Sequence, residues 1–164
     1  MIFEVSKNGN LFFSEIHPVL VELLRAVSLD PWERYPDGSG RLLPAPGSDE
    51  ELCLDWEDHV QPGLRQHFAS ERAIVTSDLE AIREEIGEKM TSSLEIPLKH
   101  CDAWLTTLNA LRLSLAEEYR FSEADLSEKI PPDLSTERGL AMMQVDFYAF
   151  LQECLLRAME KGGE

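Results

Sequence analysis

The sequence predicts a mainly α-helical protein of about five helices, with a small N-terminal β-hairpin. Apolar residues recur at helical spacing through most of the 164 residues. Near the N-terminus, two short apolar runs flank an Asn-Gly pair, which is typical of a hairpin. The length and the content of 43% apolar and 28% charged residues are typical of a folded globule. We therefore expect residues 1–164 to form a single domain.

The predicted hairpin covers residues 2–13 and turns at Asn8-Gly9. Asn-Gly favours a type I′ turn, in which both central residues have positive φ. Because two strands alone are marginally stable, we expect the hairpin to pack on helices or to gain a third strand. Residues 94–96 alternate between apolar and polar, and they are the candidate third strand.

The first predicted helix follows the hairpin, with Ser14 as its N-cap and Pro18 in its first turn. Prolines and glycines then interrupt every regular pattern over residues 29–48, which predicts an irregular loop. Long loops of this kind are often functional. Trp32 and Tyr35 lie in the loop, either as anchors that hold it to the core or as part of a binding surface.

Two helices are predicted next. Ser48 is the expected N-cap of a short acidic helix over residues 49–60. Pro62 suits the first position of the following helix. Its apolar stripe includes Ile86 and continues to about residue 90, with a candidate break near Ser70.

The last two predicted helices carry the strongest apolar patterns. The helix near residues 98–120 has one continuous apolar face. Pro131-Pro132 then excludes helix, and the final helix should begin at Ser135 or Thr136. This final helix is apolar on nearly every side, which predicts that it is central or is covered by a partner. A second copy of the chain, in a homodimer, is one such partner.

Charge and cysteine content restrict the class of protein. Lys and Arg number 15 against 31 Asp and Glu, giving a net charge of −16. A field of that sign repels nucleic acid and anionic membranes and attracts basic protein surfaces. The cysteines Cys53, Cys101 and Cys154 are odd in number and far apart, which predicts free thiols. Since neither a signal peptide nor an apolar run long enough for a membrane span is evident, we expect a cytoplasmic protein.

Catalytic motifs are missing from the sequence. It contains no GxSxG, GxxxxGK[ST], GxGxxG or HExxH pattern, and no basic stripe with interleaved aromatic residues. We therefore expect no cofactor. We favour a protein without catalytic activity over an enzyme.

Arg112 is the most unusual residue of the predicted helices. At about 100° per residue, it falls inside the apolar stripe of its helix, with Asn109 on the flank. On the last helix, Gln144 falls within the stripe, and Asp146 and Glu153 border it. Because a buried Arg must be paired, these five residues predict either a polar network that locks two helices together or an anion site centred on Arg112.

Histidine and carboxylate side chains offer a weaker candidate. Asp55 and His59 are four residues apart on one predicted helix and could share a metal ion. His100, Cys101 and Asp102 are ligand types too, but adjacent residues point to different helix faces. We expect surface side chains here, with a metal site as the alternative.

Two helices carry a resemblance to a known family. The segment Trp104-Leu105-x-x-Leu108-Asn109-x-Leu111-Arg112-Leu113-x-Leu115 and the segment that begins at Asp146-Phe147-Tyr148 are similar to those of a bacterial family of unknown function. That family is best represented in actinobacteria, and its genes are often found beside the Clp-protease adaptor gene. The resemblance implies no activity, and it suggests a connection with intracellular proteolysis.

We therefore expect a protein-interaction or regulatory module that uses its acidic surface or the loop 29–48 to bind a protein partner. The alternative is a protein that binds a metal or a small ligand, or a metal-dependent enzyme, with Asp55, His59 or Arg112 in the site.

Overall fold

The computed structural model of the chain describes residues 1–36, 39–85, 90–127 and 131–162. The fold is mainly α, with a four-stranded antiparallel sheet. The strands are β1 Ile2–Val5, β2 Leu11–Ile16, β3 Arg83–Glu85 and β4 Thr91–Ile96. The helices are α1 Pro18–Arg25, α2 Pro31–Arg34, α3 Glu50–His59, α4 Gln61–Glu80, α5 Cys101–Glu118, α6 Glu123–Ser127 and α7 Glu137–Gly162. Short 3-10 turns lie at Ala26–Ser28, Ser39–Leu42 and Leu98–His100.

The sheet has the order β1-β2-β4-β3 and contains the predicted hairpin. The third strand predicted at residues 94–96 is confirmed as part of β4, which pairs with β2. The fourth strand was not predicted, because the apolar stripe of α4 extended past it. The helix ends instead at Glu80, and Arg83–Glu85 pairs with residues 91–93 of β4. Ile86, the next residue of the predicted stripe, lies outside the described residues.

The hairpin turn differs from the type I′ turn that was predicted. Ser6 donates its N–H to Asn10 O at 2.9 Å, and Gly9 donates its N–H to Ser6 O at 3.0 Å. Only Gly9 of the turn has positive φ, at 78°. This is a three-residue loop in which a type I turn is followed by a left-handed glycine. The prediction failed because Asn-Gly fits both turns. The two turns differ in which residues take positive φ.

The first helix begins later than predicted. Ser14 lies in β2, opposite Ile2, and His17 is the N-cap, with Nδ1 accepting a hydrogen bond from Val19 N at 3.3 Å. A bulge between Phe13 and Ile16 keeps the strand paired and turns Ile16 into the core. Strand pairing therefore determined the boundary, against the capping preference of the local sequence.

The loop predicted over 29–48 contains regular structure. Asp30 accepts a hydrogen bond from Trp32 N at 2.9 Å, and Pro31 opens α2 at its first position. Proline thus starts a short helix here because that position needs no N–H donor. A 3-10 turn follows at Ser39–Leu42, and residues 37 and 38 lie outside the described residues.

The two following helices agree with the sequence in order and differ at their ends. Asp49, not Ser48, caps α3, and it accepts a hydrogen bond from Leu52 N at 3.1 Å. Pro62 lies in the first turn of α4, at its second position instead of the first position that was predicted. The break expected near Ser70 is absent, because α4 is continuous from Gln61 to Glu80. The Ser70 hydroxyl donates to Gln66 O at 2.9 Å within this helix.

The core is centred on α5, which packs against α4 and α7. The apolar face predicted for α5 is confirmed, with Trp104, Leu108 and Leu111 fully buried. The start predicted for α7 is also confirmed, because Thr136 Oγ1 caps it by accepting from Gly139 N at 3.0 Å. No helix within the described part of the chain is long and apolar enough to cross a bilayer.

Candidate functional site

Arg112 is half-buried and lies between α5 and α7. It donates from Nη1 to Gln152 Oε1, and Gln152 Nε2 donates to Leu105 O at 3.4 Å. Arg112 Nε is buried and has no acceptor among the described residues. Desolvation lowers the pKa of Arg112, and the charge of Asp146 opposes that effect. The guanidinium therefore links two helices through a neutral amide.

The other four residues of the predicted network do not include the acceptor of Arg112, and of the four only Asp146 acts on it, through its charge. Gln144 Nε2 donates to Tyr148 Oη at 2.8 Å, and Tyr148 Oη donates to Leu23 O at 3.3 Å, which ties α7 to α1. Glu153 pairs with Arg157 on the surface. Asn109 and Asp146 are exposed.

The acceptor of Arg112 was missed by the sequence reasoning. Gln152 lies eight residues after Gln144 on the same helix, so the projection that selected Gln144 places both on neighbouring parts of one face. The residue could therefore have been found, but its pairing with Arg112 depends on how α5 and α7 cross.

The aromatic residues of loop 29–48 contact the body of the protein. Trp32 is half-buried, 5.5 Å from the ring of Phe68, and the guanidinium of Arg65 lies 5.3 Å from its centroid. Tyr35 is buried, and this desolvation raises its pKa. Both side chains hold α2 against the core. Tyr35 also lines, with Gln144, a cleft of about 390 Å³.

The predicted metal ligands are exposed and do not converge. Asp55 and His59 lie on the outside of α3. Within the described ranges, no group of three or more His, Cys, Asp and Glu side chains could hold a metal ion. Burial raises the pKa of the Cys101 and Cys154 thiols to about 11, so both are protonated near neutral pH.

The most unusual surface belongs to α3, a helix that contains no buried residue. Leu52 and Leu54 are 49% and 56% exposed, and Val60, which follows the helix, is 37% exposed. Residues 49–60 contain no Lys or Arg. The carboxylates there are Asp49, Glu50, Glu51, Asp55, Glu57 and Asp58, and none forms an ion pair with the described residues. We call residues 49–60 the α3 surface.

Packing beneath the α3 surface is incomplete. Trp56 is half-buried, whereas its neighbours Asp55 and Glu57 are exposed. Its indole Nε1 is buried and has no acceptor among the described residues. An unpaired buried N–H costs about 1–3 kcal/mol. This helix therefore buries little of its surface in the fold, and it exposes Leu52 and Leu54.

A second polar cluster was not predicted and joins α4 to α5. Asp78 is only 8% exposed; it accepts from Trp104 Nε1 at 2.9 Å and lies 2.9 and 3.0 Å from His100 Nδ1. A carboxylate only accepts, so Nδ1 of His100 is the donor. Asp78 follows Val75 by three residues and precedes Leu79, so its position in the apolar stripe of α4 was a usable signal.

The fold defines a mainly helical protein with a four-stranded antiparallel sheet. Residues 18–159 match the model of a family described as a domain of unknown function, DUF2017. The chain belongs to this family. No curated protein and no solved structure matches it.

Proposed function

We propose that the protein is a non-catalytic interaction module of the cytoplasm that binds a basic protein partner through the α3 surface. One observation carries the proposal: a helix with no buried residue places exposed leucines beside carboxylates that form no ion pair within the described part of the chain. Such a combination fits a partner segment that is both apolar and positively charged.

The two chemical components of the α3 surface have different roles. Leu52 and Leu54 would supply apolar area to be buried on binding, which is the main source of affinity. The carboxylates, together with the net charge of −16, would steer a basic partner and raise its rate of association. Binding should therefore weaken as salt concentration rises.

The cytoplasm is the proposed compartment because the cysteines are free, two of them buried as thiols within helices. As the class of partner we propose a component of regulated proteolysis. This rests on the resemblance of the α5 and α7 sequences to a family often encoded beside the Clp-protease adaptor.

Affinity capture from a lysate of the source organism tests the proposal. The variant Leu52→Gln/Leu54→Gln keeps helix propensity and removes the apolar component of the α3 surface. Its matched control is Leu140→Gln/Leu156→Gln, which replaces two comparably exposed leucines of α7.

The proposal predicts a stoichiometric partner that the wild type and the α7 control retain, and that the α3 variant and high salt release. Equal retention by both variants would place the interaction elsewhere. Recovery of the wild-type protein alone would remove the support for an interaction module.

A further inference from the structure

A cleft of about 600 Å³ lies on the outer face of the sheet, at the C-terminal end of α4. Its position follows from strand alternation, since Leu94 and Ile96 of β4 point into the core and Ser93 and Glu95 point away from it. We call this the sheet cleft. The lining residues used below are Phe12, Asp78, Arg83, Glu84, Ser93 and Glu95.

Most charges around the sheet cleft are negative. Glu95 accepts one hydrogen bond, from Asn10 Nδ2 at 2.8 Å. Glu84 lies opposite Ser92 in the sheet, and its carboxylate is 3.7 Å from Arg25 on the other face, so its charge does not face the sheet cleft. The carboxylate of Asp78 lies at its inner wall. The C-terminal end of α4 adds the partial negative charge of its last carbonyl groups. Arg83 alone opposes this field, and it forms no ion pair with the described residues.

The hydroxyl of Ser93 is a second, independent sign of a ligand. Ser93 is only 5% exposed, and the surface that it retains lines the sheet cleft. Its Oγ forms no hydrogen bond with the described residues, and it is not one of their buried unpaired side-chain atoms, so the oxygen is open to the sheet cleft. A ligand in the sheet cleft would supply the missing partner.

The geometry points to an organic cation with an ammonium or guanidinium group as the occupant; we propose that the sheet cleft binds such a group. A metal ion fits poorly, because the carboxylates do not converge: no cluster of three ligand side chains exists within the described residues. A larger cation can instead contact Glu95, donate to Ser93 and lie on the ring of Phe12, which is 38% exposed.

This site is separate from the α3 surface. The sheet cleft lies at the C-terminal end of α4, whereas α3 joins the N-terminal end of that helix. Occupation of the sheet cleft therefore does not depend on the proposed protein partner, and either proposal can fail without the other.

Titration with agmatine, followed by ¹H–¹⁵N chemical shifts of the full chain, tests the site. Agmatine carries an ammonium and a guanidinium group and no carboxylate. We expect saturable shifts at Phe12, Arg83 and Ser93. Glu95→Gln and Ser93→Ala should each raise the dissociation constant by roughly two- to fivefold, the range for one exposed charge or hydrogen bond.

Two further variants test whether the charges of the sheet cleft determine the dissociation constant. Arg83→Ala removes the competing cation and should lower the dissociation constant by roughly two- to fivefold. Glu51→Gln removes the same unit of charge from the α3 surface, and it should leave the constant unchanged. Equal weakening by Glu51→Gln and Glu95→Gln, weaker binding after Arg83→Ala, or no saturable shift would each overturn the proposal.

Discussion

The indole nitrogen of Trp104 donates a 2.9 Å hydrogen bond to the carboxylate of Asp78, across the interface of α4 and α5. Trp104 is fully buried, and Asp78 receives a second bond from His100. The carboxylate therefore accepts hydrogen bonds from two donors. The pair fixes the position of α4 relative to α5, the helix at the centre of the core.

Asp78→Asn tests this role. The amide keeps one acceptor oxygen and turns its NH2 group toward a donor, so one buried N–H loses its partner. We expect the free energy of unfolding to fall by about 2–3 kcal/mol, measured by denaturant titration. Asp58→Asn, the same change at an exposed site of α3, should alter it by less than about 0.5 kcal/mol. Equal effects of the two variants would contradict the role given to Asp78.

Ser114→Ala should stabilise the protein. Ser114 is fully buried on α5, and its hydroxyl has no partner among the described residues. Removing it relieves a desolvation cost of about 1 kcal/mol, in addition to the helix preference for Ala of about 0.5 kcal/mol. Ser70→Ala on α4 provides the comparison, because that exposed hydroxyl is bonded to Gln66 O. A melting temperature raised no more by Ser114→Ala than by Ser70→Ala would show that the buried hydroxyl is satisfied.

Gly139→Ala should destabilise the start of α7. A Cβ at this position would lie 1.8 Å from the backbone oxygen of Asp133, closer than any real contact. We expect a loss of about 2 kcal/mol or more, although Ala is otherwise the better helix former. Gly63 occupies the third position of α4 with open space around it, so Gly63→Ala should gain up to about 1 kcal/mol. Opposite signs in thermal unfolding are the expected result, and a gain at both positions would contradict the close approach.

Arg112 and Gln152 should respond unequally to truncation. Arg112→Leu removes a desolvated charge and leaves a half-buried amide, so the loss should stay within about 1 kcal/mol. Gln152→Leu leaves the guanidinium desolvated without its acceptor, and it should cost about 1–3 kcal/mol. Denaturant titration of both variants measures the difference. A larger loss for Arg112→Leu would indicate an additional partner for the guanidinium.

The sequence predicted the parts of the fold that depend on local pattern. The stripe of α5 and the alternation at residues 94–96 were read correctly, because each pattern repeats within a few residues. Arg83–Glu85 was missed, since its strand conformation comes from pairing with β4 and its own residues continue a helical pattern. Ser14 failed as a cap for the same reason, because β2 pairs through that residue with β1.

Sites were harder to predict than elements. Arg112 lies between two helices, and its partner Gln152 is 40 residues away, so the pairing depends on how the helices cross. Asp78 and Trp104 are 26 residues apart, and nothing in the sequence joins them. The α3 surface lay within a predicted acidic helix, yet the exposure of Leu52 and Leu54 follows only from how α3 packs on α4.

The most direct test of the α3 surface is photo-crosslinking in the source organism, with a photoreactive amino acid placed at Leu54 and, as a control, at Leu156 of α7. Both positions are about half exposed, so they differ mainly in their surroundings. The account predicts one discrete adduct with a basic protein from position 54, absent from position 156 and diminished by Leu52→Gln. No adduct at position 54, or the same adduct from both positions, would contradict it.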